Sequence, residues 1–558
     1  MLKIDNINNI GKREIKVFFS FLLTIFFGFG LFFFSRADAA YAPPAGIPAP
    51  IFGINEVAPS TAIKCSSWPS AFSPECYYID NTSPAATDIG NTNGYPNRPR
   101  ATIPTTYAAG SYAEVRGGPY NSITITFNGT SANPIFFRGP SALDRTTIHG
   151  VGLTGSYAIV EYINSDLNGG NVGFLYPASY ISFRNNTVQG TGVLLTGNQS
   201  ALSLSGGTAG HNNNLVVYNN TIWNHGQWNY NTTADVHGIK PRNDVDEAWI
   251  LENTIYHVQG DSIQTGEATL VGQSYPTKIY IGKNIMYENK ENCIDIKGGT
   301  DIIVSENICH DMLNAYGDDQ MEGIVTHNSA NWTWYINNTI WNSGFGIYTS
   351  GSANQYAVGN VIYSIQGSSN PSSFYDYGTG IIFIGANPGA IVNNTIDNTQ
   401  HGYSEAGGGV VNMANNIISN RSLAAGYDQM IENTTGNTLD YTLTSGNTKT
   451  RWGGGTYATA AAFNSATGQG AHHWETNPLF MNTAGNDYRL TASSPAINNG
   501  VLAQVYATFQ NRYGISIARD INGNIRPSGT AWDIGAYEYV SGAPDTTPPA
   551  APTGLSVN

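Results

Sequence analysis

Charge is scarce in this chain. Of its 558 residues only 11% are Asp, Glu, Lys or Arg, which excludes a long coiled coil or a charged disordered tail, since both are built from such residues. Basic side chains are scarcest: 25 Lys and Arg stand against 39 Asp and Glu, for a formal net charge of −14. A general nucleic-acid binder needs a basic surface to displace phosphate counterions, so nucleic acid is excluded as a partner. Cysteine is rare too, with four in all. No CxxC pair or nearby pair of histidines accompanies them, so no zinc site is expected. Cys65 and Cys76 are close enough in sequence to pair in an oxidising compartment, whereas Cys293 and Cys309 read as core filler. The Leu frame of a leucine-rich repeat is missing.

Against these shortages stand 63 Gly, 33 Tyr and 12% aromatic residues, a composition suited to an exported β protein with a surface able to stack on ligands. The first residues fit export. Lys12, Arg13 and Lys16 precede an apolar run from Val17 to Phe34, followed by the small-x-small pattern Ala37-Asp38-Ala39. Residues 1–40 are therefore predicted to be a signal peptide. That places the protein outside the cytoplasm, secreted or on the cell surface, or in a periplasm. An uncleaved anchor is the second reading, because the apolar run is long. No later segment is apolar for long enough to span a bilayer.

A short phrase recurs through the middle of the chain, an Asn followed by an apolar residue one or two places on. It falls at Asn186, Asn220, Asn253, Asn284, Asn307, Asn338, Asn360, Asn394 and Asn416, at spacings between 22 and 34 residues. A second ladder keeps the same irregular beat at Val193, Ile239, Ile263, Ile294, Ile324, Ile347, Ile381 and Tyr403. The shortest spacing is a solenoid length, and the surrounding residues are β-branched and aromatic with Gly and Asn at turns. The prediction is an all-β, right-handed parallel β-helix of three short strands per coil, with equivalent positions stacked roughly 4.8 Å apart. The Asn column is expected at one turn, tolerating a left-handed backbone and bonding coil to coil through its amides. The Ile column is expected inside.

Residues 41–115 read as an N-terminal cap, 116–425 as the β-helix, 426–540 as irregular C-terminal β coils and cap, and 541–558 as a Pro-rich linker. The long spacings mark insertions at both corners flanking one strand, a usual origin of a binding face in repeat arrays.

Several strings resemble secreted right-handed β-helix proteins, the superfamily of pectate, alginate and chondroitin lyases and polygalacturonases. YYIDNTSPAA, GTSANPIFFRG and ENCIDIKGGTDIIVSENI resemble its opening segment and coils, and NPLF, YRLTASSPAI and WDIGAYEY resemble a C-terminal segment of such exported proteins. IDIKGG is similar to the Lys-bearing coil of some pectate lyases. Polygalacturonases carry an N-T-D segment, a paired Asp, a His-Gly segment and a basic segment in that order. Here His237-Gly238 precedes Asp318-Asp319 and N-T-D is missing, so the resemblance does not extend to that hydrolase family.

If each Ile of the second ladder points inward, the residues one and three places later point outward. That gives Lys240 and Arg242, Gln264 and Gly266, Asp295 and Lys297, Val325 and His327, Tyr348 and Ser350, with His237, Asp261, Asn292 and Glu322 at the corner leading into the strand. Lys297 and Arg242 share a column two coils apart, about 10 Å between backbones. Bare Gly266 between them leaves a gap for a sugar ring. Asp261, Asp295 and Glu322 could hold a Ca²⁺ through hard oxygen ligands, with Glu267 and Asp318-Asp319 on adjacent loops. Trp228, Tyr230, Tyr275, Tyr316 and Tyr375 could stack on sugars or pin loops.

This equipment suits removal of a proton beside a uronate carboxylate, with the enolate-like charge neutralised by cations. Lys297 is the expected base, Lys240 its rival, and Arg242 the carboxylate binder. Gln264, His327, His237 and Tyr348 would contact substrate. The expected function is a monomeric polysaccharide lyase acting on an acidic glycan. Two alternatives stay open: a non-catalytic surface or adhesion rod, and a glycoside hydrolase. A stacked Asp–Lys pair is as often a plain solvated ion pair, Asp318-Asp319 beside Gly317 is as readily a turn, and the acidic net charge works against long-range capture of a polyanion.

Overall fold

A run of β-branched residues broken every few positions by Asn or Gly disfavours a helix and suits strands that pair one on another. In the computed structural model this pairing is parallel from coil to coil. The structure describes residues 41–541 apart from 206–209, 231–233, 268–271, 313–321, 366, 368–373, 423–424 and 446–447. The expected signal peptide and linker, Tyr316 and Asp318-Asp319 lie outside the described residues. No helix among those described is long and apolar enough to cross a membrane.

Each coil of the right-handed parallel β-helix has a first strand carrying the inward Ile, a second strand ending just before the ladder Asn, and a three-residue third strand after it. One coil comprises Val236–Pro241, Val245–Leu251 and Thr254–Tyr256; the next comprises Ile263–Thr265, Thr277–Gly282 and Ile285–Tyr287. In the following coil Ile294–Ser305 runs through the first corner as a single strand, as does Glu322–Ile336 after it.

The two sequence ladders are two stacks. Ile239, Ile263, Ile294, Ile324, Ile347, Ile381 and Tyr403 are register partners in that order, and all are fully buried. Val193 does not belong to this stack. It is 63% exposed, and Leu202 takes its place opposite Ile239, because the inserted segment before strand Gln199–Leu204 shifts the true rung nine residues onward.

The Asn ladder spans every coil from Asn186 to Asn416. The backbone N–H of each Asn donates to the side-chain oxygen of the next at 2.9–3.0 Å. The side-chain amide also reaches a carbonyl of the preceding coil, as from Asn284 to Ile250 at 2.9 Å. The left-handed backbone expected of these Asn belongs instead to the residue before each: Asn185, Asn219, Glu252, Lys283, Glu306, Asn337, Gly359, Asn393 and Asn415 have φ between 52° and 73°. The recurring Asn-Asn pair thus divides two jobs, the first residue turning the chain and the second bonding the coils.

Cys65 and Cys76 are disulfide-bonded beside a cluster of Phe52, Tyr112, Phe136 and Ile159, while Cys293 and Cys309 are free thiols in the core. The first described segment runs along the outside of the second strands: Ser305 Oγ donates to Ala45 O at 2.8 Å, Trp249 Nε1 to Pro48 O at 2.8 Å, and Arg184 Nη1 to Ile54 O at 2.7 Å. Near the other end, helix Ala460–Thr467 lays buried Phe463 against Trp452 and the core. Helix Gln504–Tyr513 sets Phe509 edge-on against Trp334, ring centroids 4.7 Å apart.

Candidate active site

The outward face of the first strands carries a cluster of charged side chains. Lys240, Gln264 and Asp295 follow the inward Ile by one residue on successive coils, and all three are buried. Lys297, two residues further along its strand, is one-third exposed. It meets Asp295 Oδ2 at 2.5 Å and His327 Nε2 at 3.3 Å. His327 Nε2 is 3.1 Å from the other Asp295 oxygen, so one buried carboxylate holds a cation and an imidazole together.

A second knot lies beside it. His237 is buried with Nε2 3.2 Å from Asp235 and Nδ1 3.3 Å from Asp261. Lys240 Nζ stands 3.3 Å from His237 Nε2 and 3.4 Å from Glu267. Gln264 donates to Asp261 at 3.3 Å. Arg242, nearly half exposed, is held by Glu267 through Nη2 at 2.6 Å and Nε at 2.8 Å.

The electrostatics depart from expectation at Lys297. Burial alone would push an ammonium towards its neutral form, but Asp295, then Asp261 and Asp235, outweigh it and lift the Lys297 pKa above the ordinary lysine value. Its carboxylate neighbours therefore hold it charged, the reverse of the lowering by other cations that would make a free base at neutral pH. Burial also opposes the His237 imidazolium, and the flanking Asp235 and Asp261 again win, raising its pKa. Burial and the nearby Asp295 raise Asp261. Burial raises Asp235 as well, but His237, Lys240 and Lys297 overturn it and leave that carboxyl below its usual range. Burial and Asp261 lift Glu291 to about 8.

The gap expected over Gly266 is filled. A Cβ at Gly266 would lie 3.3 Å from the Tyr275 ring and 2.9 Å from Gly298 O, so an aromatic ring occupies the space assigned to a sugar. Asp261, Asp295 and Glu322 do not bring three ligand atoms within 4.8 Å of one another either. Asp261 and Glu322 stand two coils apart in one column, and Asn292 fills the position between them, donating to Asp261 at 2.9 Å and accepting from Glu322 N at 3.0 Å. Asp295, one residue after its inward Ile, is engaged by Lys297 and His327.

Among the described residues, three ligand atoms do come within 4.8 Å of one another at Asp235, His237 and Asp261. Two carboxylates and an imidazole suit a transition-metal ion better than the all-oxygen shell of Ca²⁺. Here both ring nitrogens face carboxylates, which favour the protonated imidazole, and a lysine ammonium closes the side, so the surroundings favour a proton over a metal ion. These residues do not fit Ca²⁺. Millimolar Ca²⁺ or a chelator is expected to leave the melting temperature unchanged; a rise of several degrees with Ca²⁺ would place a cation in this knot.

Beside Lys297 the face opens into a cleft of about 210 Å³ lined by Glu322, His327, Phe345, Tyr348, Tyr375 and Tyr377. Tyr348 follows Ile347 and pairs in register with Val325, as the alternation requires. Tyr375 and Tyr377 come from the long connection between third strand Val361–Tyr363 and first strand Thr379–Ile384, one of the insertions legible in the spacing. Sequence reasoning missed Asp235 and Tyr377. Asp235 was within reach, since it stands two residues before His237 and alternation puts both side chains on one side.

No family model matches the chain, and no curated protein matches it. Several solved structures are similar to it. A lacto-N-biosidase of family GH136 from Eubacterium ramulus has 10% identity and a TM-score of 0.35, covering 66% of this chain and 64% of that one. The PL6 alginate lyase AlyGC has 14% identity and a TM-score of 0.36, with 62% and 49% covered. The pectate lyase Pel9A has 13% identity and a TM-score of 0.30, with 83% and 96% covered. The chain thus spans 64% and 49% of the length of the first two. Superpositions this loose carry no activity and no residue role across.

Proposed function

We propose that this protein is an exported polysaccharide lyase that cleaves an acidic, uronate-containing glycan by β-elimination. The observation that carries the reading is the clustering of Lys240, Arg242, Lys297, His237 and His327 on the outer face of adjacent first strands, beside an aromatic-lined cleft, in a chain with only 25 Lys and Arg and 10 His. Elimination needs cationic neutralisation of the substrate carboxylate and a group to take the neighbouring proton. Lys297 takes the proton beside the carboxylate as the glycosidic C–O bond breaks and the leaving oxygen takes a proton from water, and Tyr348, Tyr375 and His327 hold the sugar. Arg242 reaches solvent furthest and receives a carboxylate in exchange for Glu267. Lys240, closed in by His237 and Glu267, positions rather than reacts. No step is routed through Ca²⁺.

Net charge opposes long-range capture of a polyanion, so the site must act at short range, within about 10 Å at ordinary ionic strength. The test is a panel of acidic and neutral polysaccharides followed by ultraviolet absorbance. Elimination creates an absorbing conjugated product. New reducing ends without absorbance would establish hydrolysis, the second reading. Binding with no cleavage would make the solenoid a rod.

A further inference from the structure

Tyr275 sits in a stretch of backbone that is hydrogen-bonded to neighbouring coils on both sides. Its neighbour Ser274 is clamped on both sides to buried Asp244: Ser274 N donates to Asp244 Oδ1 at 2.7 Å, and Asp244 N donates to Ser274 O at 2.9 Å. Pro276 O accepts from Thr300 N at 3.1 Å, and Thr277 Oγ1 donates to Asp246 at 2.6 Å. The backbone is thus fixed before and after the ring.

The ring itself rests against two glycines, of which Gly266 also has a left-handed backbone, φ 69°. A Cβ on Gly298 would lie 2.4 Å from two Tyr275 ring carbons, and one on Gly266 would lie 3.3 Å from the ring. Gly298 has no left-handed backbone to explain it, so absence of a side chain is what the position requires. These glycines flank the strand positions of Lys297 and Arg242. The ring is only half-buried, and its hydroxyl has no hydrogen-bond partner among the described residues. A rigid, partly exposed aromatic between two cation-bearing positions has the properties of a stacking platform, because an aromatic side chain gives a large contact area for little lost conformational freedom.

We propose that Tyr275 is a sugar-stacking, specificity-determining residue, seated by Gly266 and Gly298 so that the pyranose beside the reacting unit packs on its ring. This rests on the glycan-binding reading above and adds a residue to it. Tyr275→Ala is expected to raise KM about ten-fold with kcat little changed, and Tyr275→Phe, which keeps the ring, to restore it. Gly298→Ala should raise KM as much as Tyr275→Ala by expelling the ring, and the two together should do no more than either alone.

The measurements are steady-state KM and kcat on the polysaccharide the wild-type protein cleaves, glycan affinity by titration calorimetry, and melting temperature as a control for folding. If the wild type cleaves by elimination and Tyr275→Ala leaves KM and affinity unchanged, the platform is overturned and the lyase reading stands. If the wild type binds or hydrolyses a neutral glycan with the same dependence on Tyr275 and Gly298, the platform stands and the lyase reading falls. A wild type that binds no glycan overturns both.

Discussion

Lys297→Ala should lower elimination turnover by about 10²–10⁴-fold, the usual cost of losing a general base, with KM on the same substrate changing far less. Lys297 is the cation of this face that stands beside the aromatic cleft, through its contact with cleft-lining His327. The variant is not a purely catalytic one. Asp295 is buried and loses its 2.5 Å partner, so some stability goes with the amine, and the melting temperature must be read alongside. Lys297→Arg keeps the charge and the fold, but a guanidinium cannot give up its proton in this pH range. Turnover that stays low in the folded Arg variant isolates the proton-transfer role. Full activity in either variant would remove Lys297 from the mechanism and transfer the assignment to Lys240.

The pH dependence follows from the same geometry. With its pKa raised by Asp295, Asp261 and Asp235, Lys297 is protonated in the free protein through neutrality, and only the small deprotonated fraction can accept a proton. The value of kcat/KM should therefore climb with pH across the neutral and mildly alkaline range, without levelling below about 10, the ordinary lysine value. An imidazole base would level off near 7 instead. Asp295→Asn removes the foremost charge that holds the proton on, so the rising limb should move to lower pH. An unmoved limb would separate the titration from Lys297.

The solenoid was legible because its two ladders are stated twice in the sequence, once as Asn and once as Ile, and each rung constrains the next. Insertions could be located by the spacing but not filled. Val193 shows why: it carries a phrase of the right kind in a segment that never joins the sheet. Outward alternation placed Lys240, Asp295, Lys297 and Tyr348 on the correct face, since period-two alternation follows directly from strand geometry. The interactions between them were not legible. Whether Asp295 turns to Lys297 or to Asp261 is decided by side-chain reach and by Asn292 filling the column between Asp261 and Glu322, and a one-dimensional pattern carries neither. The gap over Gly266 was misread for a related reason. A glycine signals that something approaches closely, but not whether a ligand or, as here, Tyr275 arrives from a loop later in the chain.

Asn284→Ala tests what the ladder contributes. The Asn284 side chain accepts from Asn253 N at 2.9 Å and from Asn253 Nδ2 at 3.0 Å, and donates to Ile250 O at 2.9 Å and Asn307 Oδ1 at 3.0 Å, all of them buried. Truncation strands the Asn253 N–H and the Ile250 carbonyl. Each orphaned buried group costs about 1–3 kcal/mol, so a loss of roughly 2–5 kcal/mol is expected in urea unfolding followed by circular dichroism. Asn284→Asp should be at least as damaging although it is isosteric, because a carboxylate would face the Ile250 and Asn307 oxygens that the amide now donates to. The adjacent position discriminates between the two roles of the Asn-Asn pair. Asn219 sits at φ 52° with its side chain outside the interior, and glycine tolerates that backbone freely. Asn219→Gly should therefore cost about 1 kcal/mol or less, whereas Asn220→Gly, one residue on, should cost as much as Asn284→Ala. Equal losses at both positions would mean that the turn, and not the amide ladder, is what the repeated Asn supplies.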